Sequence, residues 1–346
     1  MELFDFDDIL IEPATKSDIC SRSEINSRYS GGMLPLFTAP MDTVICPENK
    51  EIFKTNGIIP ILPRIKSPNL DYTSTSEFIS YGMEDFERIF LKSSPTVQFE
   101  LPFLALIDIA NGHMSDLIEM SKKAKGRYGH GLVLMVGNIA NPDTFIEYCD
   151  AGVDYVRIGI GNGNGCLTTV QTGIGYPMAS LIEGCVRLRK TNSWGNNTKI
   201  VADGGFKKYS DVIKALAMGA DYVMLGSILN KCLESCGETT KEDGTVINQY
   251  SEESLEMFNV DIPLYKVFRG MSTKEVQKQW GKTNLTTSEG VIRKNEVEYT
   301  VSGWVNNFES YLKSAMSYTA KKELHHFVGG VRYNKITMNS FRRFDK

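Results

Sequence analysis

Cys166 sits in a run dense in glycine, Gly159-Ile-Gly-Asn-Gly-Asn-Gly-Cys166, which continues as Leu-Thr-Thr-Val-Gln-Thr-Gly-Ile-Gly-Tyr-Pro177. So much glycine is costly unless the backbone must turn sharply. Gly161, Gly163 and Gly165 permit positive φ and let carbonyls or amides converge on an ion or ligand, while the loop presents a thiol. A thiolate there would be a nucleophile, activated by backbone amides and neighbouring groups. A tight turn carrying an incidental cysteine is the plainer alternative, and only context can decide between the two. Two further signals supply it: Asp203-Gly-Gly205 and Gly226-Ser227 each follow an apolar run. Amides at consecutive loop or helix starts bind phosphate, and a preceding carboxylate can take two ribose hydroxyls. Many phosphate-binding barrels share this arrangement, flavin enzymes included, so alone it says only that the ligand is phosphorylated.

The elements that must position these residues are short apolar runs at 34–39, 58–62, 78–81, 103–108, 132–137, 155–159, 199–203 and 222–226. Continuous runs of this kind suit strands covered on both faces. From the fourth onward they alternate with helical stretches at 115–125, 142–151 and 208–218. Eight such units predict a closed (β/α)8 barrel, with an open doubly wound sheet as the competing architecture. The motifs follow the strands' C-terminal ends, the face on which barrels place their chemistry. One barrel domain over 1–346 is expected, with an exposed hairpin or loop inserted at about 241–263. A helix start followed by a mobile flap is expected at about 272–290.

The 346 residues carry a net charge of −4 at pH 7 and are 42% hydrophobic, the balance of an ordinary globular protein without an electrostatic draw for nucleic acid. The acidic start at Met1–Asp8 lacks the pattern of a signal peptide, and no apolar stretch is long enough for a membrane span, so a cytoplasmic protein is expected. Seven cysteines without CxxC spacing argue against a disulfide framework and a zinc site. His325 and His326 lack metal-ligand partners at helical spacing, and His113 reads as a polar supporting residue. The tail from Val328 to Lys346 reads as a solvated extension or a subunit contact.

The motifs in combination resemble the IMP dehydrogenase and GMP reductase family over nearly the whole chain. Phe4–Pro13, Ser21–Ile25, Ala39-Pro-Met-Asp-Thr-Val44, Gly137-Asn138, the Cys166 loop, Ala202-Asp-Gly-Gly205, Val223-Met-Leu-Gly-Ser227, Glu234-Ser-Cys-Gly-Glu238 and Arg269-Gly-Met-Ser272 fall in family order. The resemblance implies that Cys166 adds to C2 of a purine nucleotide to give a covalent thioimidate. Asn164, Asp203, Gly204, Gly205, Gly226 and Ser227 would hold phosphate and ribose. Gly270, Met271 and Ser272 would meet the base edge, Met41 its face, and Ser288 would stand in the closing flap. Carbonyls of Gly161, Gly163 and Cys166 would hold a potassium ion. A homotetramer is the family's assembly, and no flavin is expected.

Three features favour the reductase branch over the dehydrogenase. No regulatory insert separates the second and third runs. Asp108-Ile-Ala-Asn-Gly-His113 resembles the reductase pattern, which would set Asp108, Ala110, Asn111 and Gly112 at the nicotinamide, although Asp108 could instead cap a helix beginning near Asn111. The flap ends Ser288-Glu289-Gly290 and lacks an Arg-Tyr pair, and Thr168 follows the cysteine by two residues. The implied activity is NADPH-dependent reductive deamination of GMP to IMP and ammonia, with Cys166, Thr168 and Glu289 as the catalytic group and NADH as the other cofactor choice. A carboxylate bonded to a hydroxyl can relay the proton that expels ammonia. IMP dehydrogenase chemistry or a catalytically silent nucleotide-binding relative are the alternatives. Thr169 and Thr286 stand where the family tends to carry arginine, and threonine cannot take a bidentate role. Arg64 and Lys282 are the nearby cations.

Overall fold

The computed structural model describes residues 2–64, 77–92, 102–192, 197–271, 273–279 and 290–344, without the side chains of Gln277 and Gln279. A short N-terminal strand, β1 (Ile9–Ile11), precedes eight parallel strands: β2 (Leu36–Thr38), β3 (Ile61–Leu62), β4 (Phe78–Tyr81), β5 (Phe103–Asp108), β6 (Leu132–Ile139), β7 (Tyr155–Ile158), β8 (Lys199–Asp203) and β9 (Tyr222–Leu225). Their order is β2-β9-β8-β7-β6-β5-β4-β3. A parallel bridge between Phe37 and Ile59, with Thr38 N donating to Ile59 O at 3.0 Å, closes the ring between β2 and β3. The fold is a (β/α)8 barrel, and all eight apolar runs contribute strands to it. Helices Ser115–Tyr128, Pro142–Asp150, Met178–Thr191 and Tyr209–Met218 cover it.

Why these runs close a barrel follows from their side-chain alternation, since successive residues of a strand point to opposite faces. Phe103, Ala105 and Ile107 of β5 join the outer core beneath the helices, whereas Leu106 belongs to the inner cluster with Phe37, Ile61, Phe78, Met135, Val201 and Met224. Phe37 meets Phe78 and Tyr155 edge-on, each at 5.8 Å, and so fills one inner layer. The same alternation carried one step further along each strand aims Asp108, Arg157 and Asp203 into the mouth. Fold and site are therefore fixed by one pattern.

Three expectations change. The insert at 241–263 opens with a hairpin, one of its two expected forms, but that hairpin belongs to a larger unit. After β9, strands β10 (Thr239–Lys241), β11 (Val246–Ile247), β12 (Leu264–Arg269) and β13 (Ile292–Glu296) form a separate antiparallel sheet in the order β11-β10-β12-β13, and helix Glu252–Asn259 lies between β11 and β12. Leu233, Ile247, Leu264 and Val297 give it a small core of its own. Next, the tail is not a free extension: β14 (Tyr333–Lys335) pairs antiparallel with β1, and Tyr333 OH donates to Glu183 at 2.7 Å. Lys335 lies over the Phe4 ring at 3.7 Å, so the two chain ends pack on each other. Finally, no helix begins near Asn111 for Asp108 to cap, because that helix starts at Ser115. Among the described residues no helix is long and apolar enough to cross a membrane.

Candidate active site

A cavity of about 520 Å³ opens at the C-terminal ends of the barrel strands, within the usual range for a small-molecule site. Its walls bring together Met41, Asp108, Ala110, Gly161, Gly163, Asn164, Cys166, Thr168, Asp203, Gly204, Gly205, Gly226, Ser227, Gly270 and Met271. Motifs that lie far apart in the chain therefore converge on one mouth. Asn111 and Gly112 stand in the turn behind the Asp108 wall, where Gly112 N donates to Asn138 O at 2.8 Å. Ser272, Ser288 and Glu289, like Lys282 and Thr286, lie outside the described residues.

Cys166 is half-buried, and its thiol donates to Thr168 Oγ1 at 3.2 Å. The loop that presents it is closed by Cys166 N donating to Gly163 O at 3.0 Å. Gly161 has φ of 81°, and a β-carbon there would come within 1.7 Å of Thr169 Oγ1. Only glycine fits this crossing. Thr169 itself does not reach into the cavity as an arginine would, because its hydroxyl donates to Ile174 O at 2.7 Å and folds the loop back on itself. Opposite the thiol, Asn164 Nδ2 donates to Ser227 Oγ at 3.3 Å, linking the cysteine loop to the turn after β9.

Arg157 organises the floor. Its guanidinium donates to Asp108 Oδ1 at 2.6 Å and to Asp203 Oδ2 at 2.8 Å, and its side chain is only 7% exposed. Burial opposes the charge, yet Asp203 and Asp108 hold Arg157 above its ordinary value and firmly protonated. Room for it comes from Gly137, where a β-carbon would meet Arg157 Cβ at 2.5 Å. Asn138 Nδ2 donates to Asp203 Oδ2 at 2.7 Å and to Gly159 O at 3.0 Å. Both hydrogen bonds of the Asp203 carboxylate among the described residues fall on Oδ2, which leaves Oδ1 available to a ligand in the cavity that Asp203 lines. Arg64 also lines the cavity, paired with Asp108 across 3.7 Å. The sequence reading missed Arg157, although it lies two residues after Tyr155 on one strand and so shares its inward face.

The small sheet forms the remaining wall. Val291 N donates to Gly165 O at 3.1 Å, Gly270 N donates to Val291 O at 3.0 Å, and Cys166 and Gly290 form an antiparallel bridge. A β-carbon on Gly270 would sit 2.4 Å from Gly165 O, so the two segments touch backbone to backbone. Beside them Arg269 pairs with Asp42, next to Met41. His113 supports the turn from behind, its Nδ1 2.9 Å from Thr144 Oγ1 and its Nε2 accepting from Ala140 N at 3.0 Å. Burial pushes this imidazole down, toward the neutral form that can accept. Among the described residues no group of three or more His, Cys, Asp or Glu side chains is placed to hold a metal ion.

Residues 96–344 match the family model described as IMP dehydrogenase / GMP reductase domain. The GMP reductase of Streptococcus gordonii is 28% identical over 337 residues, covering 94% of this chain and 92% of the relative. GMP reductase 2 of Homo sapiens is 29% identical over 326 residues, covering 86% and 85%. A GMP reductase from Helicobacter pylori is 31% identical over 264 residues, covering 72% of this chain and 78% of its own.

Proposed function

The chain belongs to the IMP dehydrogenase / GMP reductase family, and from that membership we propose that it reduces GMP to IMP and ammonia with NADPH as reductant. Carrying the reading is one observation: the Cys166 thiol, bonded to Thr168, faces a cavity that also holds Asp203, Gly204, Gly205, Gly226 and Ser227. Those last five would seat the ribose and phosphate, with Asn164 beside them. Met41 would cover the base, and Gly270, Met271, Ser272 and Ser288 would meet its edge.

Cys166 Sγ bonds to C2 of the base, and the exocyclic amine leaves as ammonia. Thr168 and Glu289 deliver the proton that makes the amine a leaving group, a general acid task worth roughly a hundredfold or more in rate. The resulting thioimidate loses its bond to sulfur when C2 is reduced, which returns the Cys166 thiolate. NADPH, when bound, supplies the hydride for that step. The fit of the dinucleotide rests on Asp108 and Ala110, which face the cavity across from the nucleotide loops, while Asn111 and Gly112 shape the turn behind them. Arg157 and Arg64 fix Asp108 in place, and Arg157 with Asn138 orients Asp203. Potassium would sit against carbonyls of Gly161, Gly163 and Cys166 and stiffen the loop; the Gly163 carbonyl already accepts from Cys166 N and keeps one lone pair for the ion. Membership also carries the expectation of a cytoplasmic homotetramer.

Purified protein should consume reduced nicotinamide when given GMP with NADPH, faster than with NADH, and Cys166→Ala should abolish the reaction while leaving GMP binding intact. Production of NADH from IMP and NAD would instead establish the dehydrogenase reaction. GMP binding with neither turnover nor a Cys166 adduct would establish a silent relative.

A further inference from the structure

Of the seven cysteines, Cys166 belongs to the reaction, Cys149, Cys185 and Cys232 are buried, and Cys20 is exposed alone. Cys46 and Cys236 are different. Both are half-buried and their side chains are neighbours, with Cys46 Sγ donating toward Asn49 Oδ1 at 3.6 Å. Their backbones are held together as well: Cys236 N donates to Val44 O at 3.3 Å, and Cys236 Sγ lies 3.3 Å from Asp42 O. Asn49 locks the same turn, accepting from Cys46 N at 2.9 Å and donating to Val44 O at 3.1 Å and Glu234 O at 3.0 Å. This seam joins the segment carrying Met41, which lines the cavity, to the segment leading into the small sheet.

We infer that Cys46 and Cys236 are a reversible oxidation site, whose disulfide pins the Met41 wall of the cavity to the base of the small sheet. The neighbouring Cys236 draws the Cys46 thiol below its ordinary value and makes it the better nucleophile of the two. A hydroperoxide is the oxidant class that suits such a thiolate. Cys46 sulfur attacks the terminal peroxide oxygen, the O–O bond breaks, and with hydrogen peroxide a sulfenic acid and water result. Cys236 sulfur then attacks the Cys46 sulfur, water leaves, and the S–S bond forms with the two thiol protons carried into the two waters. A dithiol reverses the step by exchange. With the two segments already joined by Cys236 N donating to Val44 O, the neighbouring thiols need only side-chain rotation to reach bonding geometry, so the bridge forms without unfolding the seam.

The full chain carrying Cys166→Ala, which removes the nucleophile of the reaction, is treated with hydrogen peroxide, denatured and alkylated. The expected product has two fewer alkylated thiols than its control and yields one cross-linked peptide pair containing Cys46 and Cys236, undone by dithiothreitol. Hydrogen exchange in the peptide spanning 39–46 should slow several-fold on oxidation, a readout that needs no nucleotide chemistry and so stands apart from the proposed function. Cys46→Ser and Cys236→Ala should each abolish both effects, while Cys20→Ser abolishes neither. The inference is overturned if the bridge maps to another pair, if Cys46 oxidises while Cys236 stays alkylatable, or if the bridge forms and exchange at 39–46 is unchanged.

Discussion

Arg157→Leu removes the one cation that stands between Asp108 and Asp203, and its cost can be worked from the geometry. The guanidinium makes two charge-assisted hydrogen bonds, of 2.6 and 2.8 Å, from a side chain that is 7% exposed. Each such bond contributes about 1.5–3 kcal/mol, and breaking a buried ion pair by deleting one partner costs about 3–5 kcal/mol because the other charge is left uncompensated. Two carboxylates lose their shared partner, while Arg64 stays beside Asp108 and Asn138 beside Asp203, so the middle of that range applies. Against a typical stability of about 5–15 kcal/mol this is a large fraction, and it should appear as a clear fall in the urea midpoint with an unchanged slope. Arg157→Lys separates charge from geometry. One ammonium cannot serve both carboxylates, so about half the cost should remain. GMP affinity should fall further than the folded fraction explains, because Asp203 loses the partner that aims it. The reasoning is refuted if Arg157→Leu costs less than about 1 kcal/mol, or if Arg157→Lys is indistinguishable from the parent.

Other changes test neighbouring parts of the argument. Gly161→Ala forces a side chain into positive φ and onto Thr169, so the melting temperature should drop by several degrees, corresponding to about 1–3 kcal/mol, with loss of turnover; an unchanged melting curve would mean that the loop is not built on that crossing. Glu289→Gln should slow GMP turnover by roughly a hundredfold while sparing GMP binding, and an intact rate would remove Glu289 from proton delivery. Lys266 is fully buried, and burial pulls its ammonium down to about 8 from 10.5. Between those two values the unfolded chain keeps a proton that the folded chain has lost, so this residue adds about 3 kcal/mol of stability as pH rises through the window. Lys266→Met should flatten the stability profile of the parent between pH 8 and 10; identical slopes would show that the lysine stays charged.

The barrel was legible because its strands are buried on both faces and so write themselves as apolar runs, from Leu36–Thr38 to Tyr222–Leu225. The small sheet left no such trace. Strand Ile292–Glu296 is largely exposed and mostly polar, and its partner Leu264–Arg269 alternates in burial, so neither carries a run that stands out from a loop. The same holds for Tyr333–Lys335, whose pairing with Ile9–Ile11 joins opposite ends of the chain and has no local signature. Glycine and cysteine drew attention to the mouth, because their chemistry is unusual wherever it occurs. Arg157 did not, since a lone charge inside an apolar strand reads as an interruption until the inward face of that strand is followed to its end. Thr169 is the converse: as a missing charge it suggested a weakened grip, whereas in the folded chain it closes the cysteine loop through Ile174.

Strands Leu264–Arg269 and Ile292–Glu296 are hydrogen-bonded partners, and just beyond their paired ends Gly270 and Val291 meet over the Cys166 loop. Whatever lies between them leaves and returns at one point of the rim, like a clasp whose two ends are riveted to the same plate. Its length and composition can then change without moving the thiol, because the rivets carry the alignment. On the proposed function, a graft of residues 271–289 from a relative should therefore alter turnover and leave the contact between Cys166 and Thr168 as it was.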